Sequence, residues 1–333
     1  RDRRAETGGE AEALAELSGA MRGRVHMRYA GEQERLLRAA RRLRSAHHLL
    51  RPVASFPLTP GRELADVEAG LAEADVAEML GGPAFRITSE RQGSHAFTSH
   101  DLQRVAGAVV AERYEAPVDL EGFAVEVTVD VVDQWCAVAV RHTHDALSRR
   151  HPQRYLPRVS LKPNVAYALV RLAELPPDTG AVLDPFCGSG TVLLEAGAVL
   201  PRAELWGGDW DPRSVAGARA NLAAWDLAGR AHMAELDARH MSEALTAGPF
   251  DAIITNPPFG RRLGKGVSFA GFYARILAEA HAVLRPRGRL ALLVGKRGAF
   301  HAALERTGGF RIRHTRVIDV SRLFPAIYIL ERT

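Results

Sequence analysis

From about residue 160 onward, short apolar runs alternate with helix-length stretches. Runs at 181–186, 204–210, 231–237, 250–255 and 289–295 read as buried strands. Strands separated by helical segments are the mark of a parallel sheet with crossover helices, an α/β fold. The last two runs, Arg311–Asp319 and Ala326–Glu331, join through Leu323-Phe324-Pro325. That connection is too short for a crossover helix, so they are predicted to pair antiparallel, completing a seven-stranded and mostly parallel sheet. Residues 60–80 show helical periodicity and stop at Gly81-Gly82-Pro83. A strand at Phe85–Thr88, a polar loop Ser89–His95 and a helix capped near Thr98 or Ser99 and running to about Tyr114 follow. Strict alternation at 124–131 and 135–141 predicts two more strands. The N-terminal 58 residues read as a small α/β unit: an Ala/Glu/Leu helix, the segment Arg24–Tyr29, then an arginine-rich helix closed by Pro52, Pro57 and Pro60. The predicted division is 1–58, 59–143, a basic linker 144–160, and 161–333.

Composition narrows the class without naming it. The chain has 333 residues, 47% apolar and 25% charged, as in an ordinary globular protein of several domains. No apolar run approaches the roughly 18 residues needed to span a bilayer, and the first residues lack an apolar signal core. The chain begins without Met, which points to an upstream segment. Its two cysteines, Cys136 and Cys187, are far apart and build neither a disulfide framework nor a thiolate metal site. A cytoplasmic setting is expected, with no metal; the pair His142 and His144 is too little for one.

Charge changes the picture more. The net charge is only +5, but it is unevenly placed. Arg35 to Val53 holds six arginines (35, 38, 41, 42, 44 and 51) and no acid. Ala146 to Lys162 holds four arginines and a lysine, again with no acid. Leu36, Leu37, Ala40 and Leu43 make an apolar stripe, so the first run also reads as the wet face of a helix. Two acid-free basic runs favour a polyanionic partner, because guanidinium groups bind phosphate bidentately.

The chemistry sits at predicted strand ends. After the run 250–255 comes Asn256-Pro257-Pro258-Phe259-Gly260. Prolines stiffen the turn and remove donors, the Asn256 carboxamide adds an oxygen acceptor, and Phe259 adds a stacking face. Two acceptors beside an aromatic ring suit a planar amine, either a nucleobase amino group or a carboxamide. Between the first strand and its helix lies Asp184-Pro185-Phe186-Cys187-Gly188-Ser189-Gly190-Thr191. Its glycines let the backbone approach a ligand beside a helix N-terminus. Asp209 ends the second strand, with Trp210 beside it, and Asp237 ends the third. Carboxylates there are placed for ribose hydroxyls and an adenine amino group. Cys187 reads as packing.

Several of these motifs resemble known families. Arg86–Phe97, with the helix and strand pair behind it, looks like a THUMP domain, an RNA-binding module. The segment ending Leu43-Arg-Ser-Ala46 resembles the ferredoxin-like unit that often precedes it. Residues 184–191 with Gly208-Asp209-Trp210-Asp211-Pro212 and Asn256-Pro257-Pro258-Phe259 resemble the Rossmann-like S-adenosylmethionine-dependent amino-methyltransferases. Leu161–Leu172 resembles the helix that precedes the cofactor loop in those enzymes. The resemblance implies that 184–191 (Asp184, Pro185, Phe186, Cys187, Gly188, Gly190 and Thr191) hold the amino acid end of S-adenosylmethionine. It likewise implies that Asp209 holds the ribose and Asp237 the adenine; Trp210, beside Asp209, is placed to cover an adenine face, and Asn256, Pro257 and Phe259 are expected to serve catalysis, with Asn256 also at the cofactor. Residues 256–264 are similar to tRNA guanine-N2 methyltransferases acting at position six of the acceptor stem. In that family the THUMP domain holds the single-stranded tRNA 3′ end. RNA contacts are then expected from Arg35, Arg38, Arg42, Arg86, Arg91, Arg149, Arg150, Arg261, Arg262 and Lys265. Ribosomal RNA guanine-N2 methylation, DNA adenine-N6 methylation and a non-catalytic RNA-binding role are the alternatives.

Overall fold

A computed structural model describes residues 24–143, 145–150, 153–157, 160–258, 268–320 and 323–333. The chain divides into two compact units, Arg1–Leu43 with His48–Leu147, and Arg44–His47 with Ser148–Thr333.

The first unit runs α1 (Gln33–Ala40), β1 (Leu50–Pro57), α2 (Glu63–Glu73), β2 (Phe85–Thr88), β3 (Arg91–Gln92), α3 (Ser99–Tyr114), β4 (Val125–Val132) and β5 (Trp135–Arg141). Its sheet has the order β1-β5-β4-β2, with β3 also on β4. The pairs β1–β5 and β4–β5 are antiparallel and β2–β4 is parallel. Helix α3 starts on a capping box: the Thr98 hydroxyl accepts from Asp101 N–H, and the Asp101 carboxylate accepts from Thr98 N–H. Val67 and Leu71 of α2, and Leu102 and Val110 of α3, pack on Val127, Val129 and Val138.

Three expectations change here. The arginine-rich helix ends at Ala40, and Arg51 and Val53 lie in β1, paired to β5. β1 is an edge strand with a register shift between Pro52 and Ala54, which is where a sheet tolerates proline. Residues 24–30 form neither helix nor strand, and the helix expected before them lies outside the described residues. The alternation in β4 predicts one wet face, yet Glu126, Thr128 and Asp130 are buried too. Each has partners: Glu126 takes Arg86 and Arg141, Thr128 donates to Ala139 O, and Asp130 pairs with Arg24.

The second unit runs α4 (Pro163–Leu172), β6 (Ala181–Asp184), α5 (Thr191–Val199), β7 (Glu204–Asp209), α6 (Pro212–Ala223), β8 (Ala231–Glu235), α7 (Met241–Ala244), β9 (Phe250–Thr255), α8 (Phe269–Val283), β10 (Leu284–Val294), α9 (Arg297–Thr307), β11 (Phe310–Val317) and β12 (Ala326–Arg332). Among the described residues the sheet has seven strands, in the order β11-β12-β10-β9-β6-β7-β8. β8, β7, β6, β9 and β10 are parallel, and β12 lies antiparallel between β10 and β11, as the short connection requires. β10 starts at Leu284, five residues before its expected beginning at 289. One core joins α4, α5 and α6 to the sheet through Leu169, Leu193 and Leu222; another joins α8 and α9 through Tyr273, Ile276 and Phe300. Strand order reverses between β6 and β9, so a crevice opens at their C-terminal ends, where open α/β sheets bind ligands. Among the described residues no helix is long and apolar enough to cross a membrane.

Candidate active site

Because β6, β7, β8 and β9 run parallel, the side chains that follow them meet at one edge of the sheet. Asp184 closes β6 and is 1% exposed. Its Oδ1 accepts hydrogen bonds from the Thr255 hydroxyl at 2.6 Å and from Phe186 N–H at 3.2 Å, tying the end of β6 to the end of β9. Burial pushes its carboxyl up to about 7; the two hydrogen bonds offset this only in part, and the Asp209 charge adds to it. Thr255 escaped the sequence reading. Its one signal is a hydroxyl at the last position of an otherwise apolar strand.

Next comes the glycine loop. Gly188 (φ 52°) and Gly190 (φ 79°) take the left-handed conformation that glycine tolerates best. They do different work. A Cβ on Gly190 would lie 3.3 Å from Ala218 Cβ, so this glycine lets α5 approach α6. A Cβ on Gly188 would meet nothing within 4 Å, so this glycine borders open space. The Asp209 carboxylate pins the loop, its Oδ2 accepting from Gly188 N–H and its Oδ1 from Asp211 N–H, both at 3.0 Å. Each oxygen keeps a lone pair for a ligand hydroxyl. Thr191 opens α5 and is buried in a chain of hydroxyls with Ser189 (3.0 Å) and Ser160 (3.4 Å), and Gln153 donates to it. Pro185 is buried, and the Phe186 ring packs against Phe272. Cys187 is buried as well, and burial first, then Asp184 and Asp209, holds its thiol well above the usual range. It is no thiolate nucleophile.

The two residues expected on the adenine stand differently: Asp237 has a partner within the protein, and Trp210 is exposed. Asp237 caps the following turn and accepts from Arg239 N–H, and its carboxylate is gripped by the Arg239 guanidinium at 2.6 Å. That contact holds its carboxyl below the usual carboxylate range. Trp210 is 80% exposed.

At the tip of β9, Pro257 is buried and Asn256 half-buried. Among the described residues, the buried Oδ1 of Asn256 has no hydrogen-bond partner. A buried acceptor left this way costs about 1–3 kcal/mol, so it points to a missing donor. Phe259, Gly260, Arg261, Arg262 and Lys265 lie outside the described residues.

The expected RNA-contacting arginines separate into two groups. Arg35, Arg42 and Arg149 are exposed. Arg38 is exposed too, in an i,i+4 ion pair with Glu34, a weak surface contact. Arg91 lies 5.5 Å from the Phe97 ring. Arg86 and Arg150 have carboxylate partners within the protein. Arg86 pairs with buried Glu126 at 2.9 Å and lies over Phe123. Arg150 pairs with the fully buried Glu195 of α5, which Arg44 also holds. Those guanidiniums neutralise buried carboxylates, which ties part of each into the fold. His142 faces Gln33 and Glu78, and His144 lies outside the described residues. Among the described residues no group of three or more His, Cys, Asp and Glu side chains has metal-binding geometry.

A glycine loop, strand-end carboxylates and an unpartnered amide oxygen around one switch point belong to a cofactor-dependent transferase of the Rossmann-like class. Residues 150–324 match the family described as "RMKL-like, methyltransferase domain", and residues 61–141 match the THUMP domain. The chain belongs to this methyltransferase family. It is 37% identical to the tRNA (guanine(6)-N2)-methyltransferase of Thermus thermophilus over 94% of its own length and 90% of that protein. It is 30% identical to the mouse tRNA (guanine(6)-N(2))-methyltransferase THUMP3 over 75% of its length, and the match covers 51% of the mouse protein. The crystal structure of TrmN from Thermus thermophilus matches the fold with a TM-score of 0.75 at 34% identity, covering 97% of this chain and 96% of that one.

Proposed function

We propose that this protein transfers a methyl group from S-adenosylmethionine to the exocyclic N2 of a guanosine in tRNA, at position six of the acceptor stem. The observation that carries the reading is the buried Oδ1 of Asn256 at the tip of β9, which has no hydrogen-bond partner among the described residues. The names of the relatives, tRNA guanine-N2 methyltransferases, support the base and the RNA.

The residues present fit the cofactor. Open space faces Gly188, each Asp209 oxygen keeps a lone pair for a ligand hydroxyl, Trp210 follows Asp209 at the end of β7, and Asp237 follows β8. S-adenosylmethionine, when bound, supplies an electrophilic methyl group. The chain's own groups then do the rest. A guanine amine is a poor nucleophile because its lone pair is delocalised into the ring. With the guanine out of its stack, Asn256 Oδ1 and the Pro257 carbonyl accept the two N2 hydrogens and localise that pair, while Phe259 stacks on the ring. These acceptors gain strength as positive charge grows on nitrogen, so they favour the transition state over the ground state. The methylated nitrogen is acidic and loses its proton without a dedicated base.

In this reading residues 59–143 dock the tRNA 3′ end, residues 161–333 hold the chemistry, and 1–58 and 144–160 flank them. Arg35, Arg42 and Arg149, with Arg261, Arg262 and Lys265, contact phosphates. The test is mass-spectrometric nucleoside analysis of an unmodified tRNA before and after incubation with enzyme and cofactor. N2-methylguanosine mapped to position six is expected. Methyl groups on adenine N6, or only in ribosomal RNA, would overturn the reading.

A further inference from the structure

A second opening lies along the same edge of the sheet, one strand away from Asn256. β9 and β10 are parallel, with Thr255 opposite Leu292. β9 ends at Thr255 and the neighbouring β10 at Val294, so the residues that follow them, Asn256 and Gly295, leave adjacent strands at the same edge of the sheet. There β10 ends and a cleft of about 550 Å³ opens, lined by Phe269, Lys296, Arg297, His301 and Tyr328 with the glycines between them.

Its chemistry is cationic above and apolar below. Lys296, Arg297 and His301 are exposed at the rim. Tyr328 is buried at the base, with its hydroxyl 2.7 Å from His301 Nε2, and the Lys296 ammonium lies 5.9 Å from the Phe269 ring. No acid occurs between Glu279 and Glu305, a stretch holding Arg285, Arg287, Arg289, Lys296 and Arg297. Arg285 and Arg289 are neutralised, by Asp251 and Glu331. Among the described residues, neither Lys296 nor Arg297 forms an ion pair. Two cations without an ion-pair partner among the described residues line one cleft, and an anion seated there would gain favourable Coulomb energy from both. Single-charge ligands of many kinds fit that description, but position selects among them. A nucleotide drawn out of its stack onto the tip of β9 carries its own flanking phosphates to the neighbouring strand end.

We infer that this cleft seats a phosphodiester next to the extruded guanosine, with Lys296 and Arg297 as its cationic partners and Phe269 and Tyr328 as an apolar base under the ribose. The inference rests on the RNA-methylation reading above and adds to it the residues that hold the target nucleotide by its backbone.

The experiment combines protein and RNA substitutions. Lys296→Ala and Arg297→Ala should each lower kcat/KM for tRNA by about 10–100-fold, mostly through KM. The salt dependence of tRNA binding should flatten by about one unit of slope. Calorimetric affinity for S-adenosylhomocysteine and the melting temperature should stay at wild-type values, and Lys296→Arg should recover most of the loss. A tRNA with an uncharged methylphosphonate at a linkage flanking the methylated guanosine should cost the wild type a similar factor and cost Lys296→Ala almost nothing more. Strictly multiplying losses at both flanking linkages, or unchanged tRNA kinetics in both variants, would overturn the cleft assignment while leaving guanine methylation intact. A wild-type protein that methylated no tRNA would overturn the parent reading, and this one with it.

Discussion

The tips of β6 and β7 and the tip of β9 lie at one sheet edge and treat polar atoms in opposite ways. Asp184 and Asp209 have partners built into the protein: Thr255 and Phe186 N–H for the first, Gly188 and Asp211 N–H for the second. Asn256 Oδ1 is as well hidden from water, yet has none among the described residues. The difference separates scaffold from chemistry. Partnered carboxylates fix the loop and the strand ends before any ligand arrives, which is what preorganisation requires. The lone acceptor, without a donor among the described residues, suits a donor brought by a ligand.

Substitutions at these tips should break that comparison unequally. The largest effect belongs to Asn256→Ala, which removes the acceptor needed most as the amine becomes nucleophilic. Single-turnover rates on saturating tRNA should fall by orders of magnitude while cofactor affinity is kept. Asp209→Ala removes a ligand contact and frees the glycine loop, so calorimetric titration should show cofactor affinity reduced by roughly 10–100-fold, with RNA affinity unchanged. An unchanged cofactor affinity would refute the ribose assignment. Phe259→Ala should cost about 1–3 kcal/mol of base stacking and slow capture of the flipped guanine, whereas Phe259→Tyr should be tolerated in the same kinetics.

The smallest effect sharpens the scaffold side. Asp184 titrates near 7 in the folded protein, against an ordinary value of 3.8. Between those values the folded state holds a proton that the unfolded chain has released, so its contribution to stability falls as pH rises through the window. Asp184→Asn cannot ionise and should lack that slope. Melting temperatures at pH 5 and pH 8 should therefore drop more for wild type than for the variant.

Much of this edge was legible in the sequence, because strand ends are announced by apolar runs and the reactive residues follow them directly. The order of apolar runs alone puts Asp184, Asp209, Asp237 and Asn256 on one edge, since parallel strands impose it. What periodicity could not show was how those groups are paired across the chain. The Glu195 side chain that takes Arg44 and Arg150 lies 151 and 45 residues from them, and nothing in a basic run reveals such a partner. The same holds for Glu126 and Arg86. The strand Leu50–Pro57 was hidden because its two prolines argue against a strand until its edge position is known. The cleft at Lys296 had a visible signal in the acid-free stretch after Glu279, but basic residues announce a site only once their counterions are counted.

The central claim is that the atoms around Asn256 recognise the exocyclic amine of guanine. Replacing the position-six guanosine of a tRNA transcript by inosine, which lacks only that amine, tests it most directly with the wild-type protein. Methyl incorporation should be complete on the guanosine transcript and absent on the inosine one, with the two binding nearly equally. Equal methylation of the inosine transcript would contradict the account.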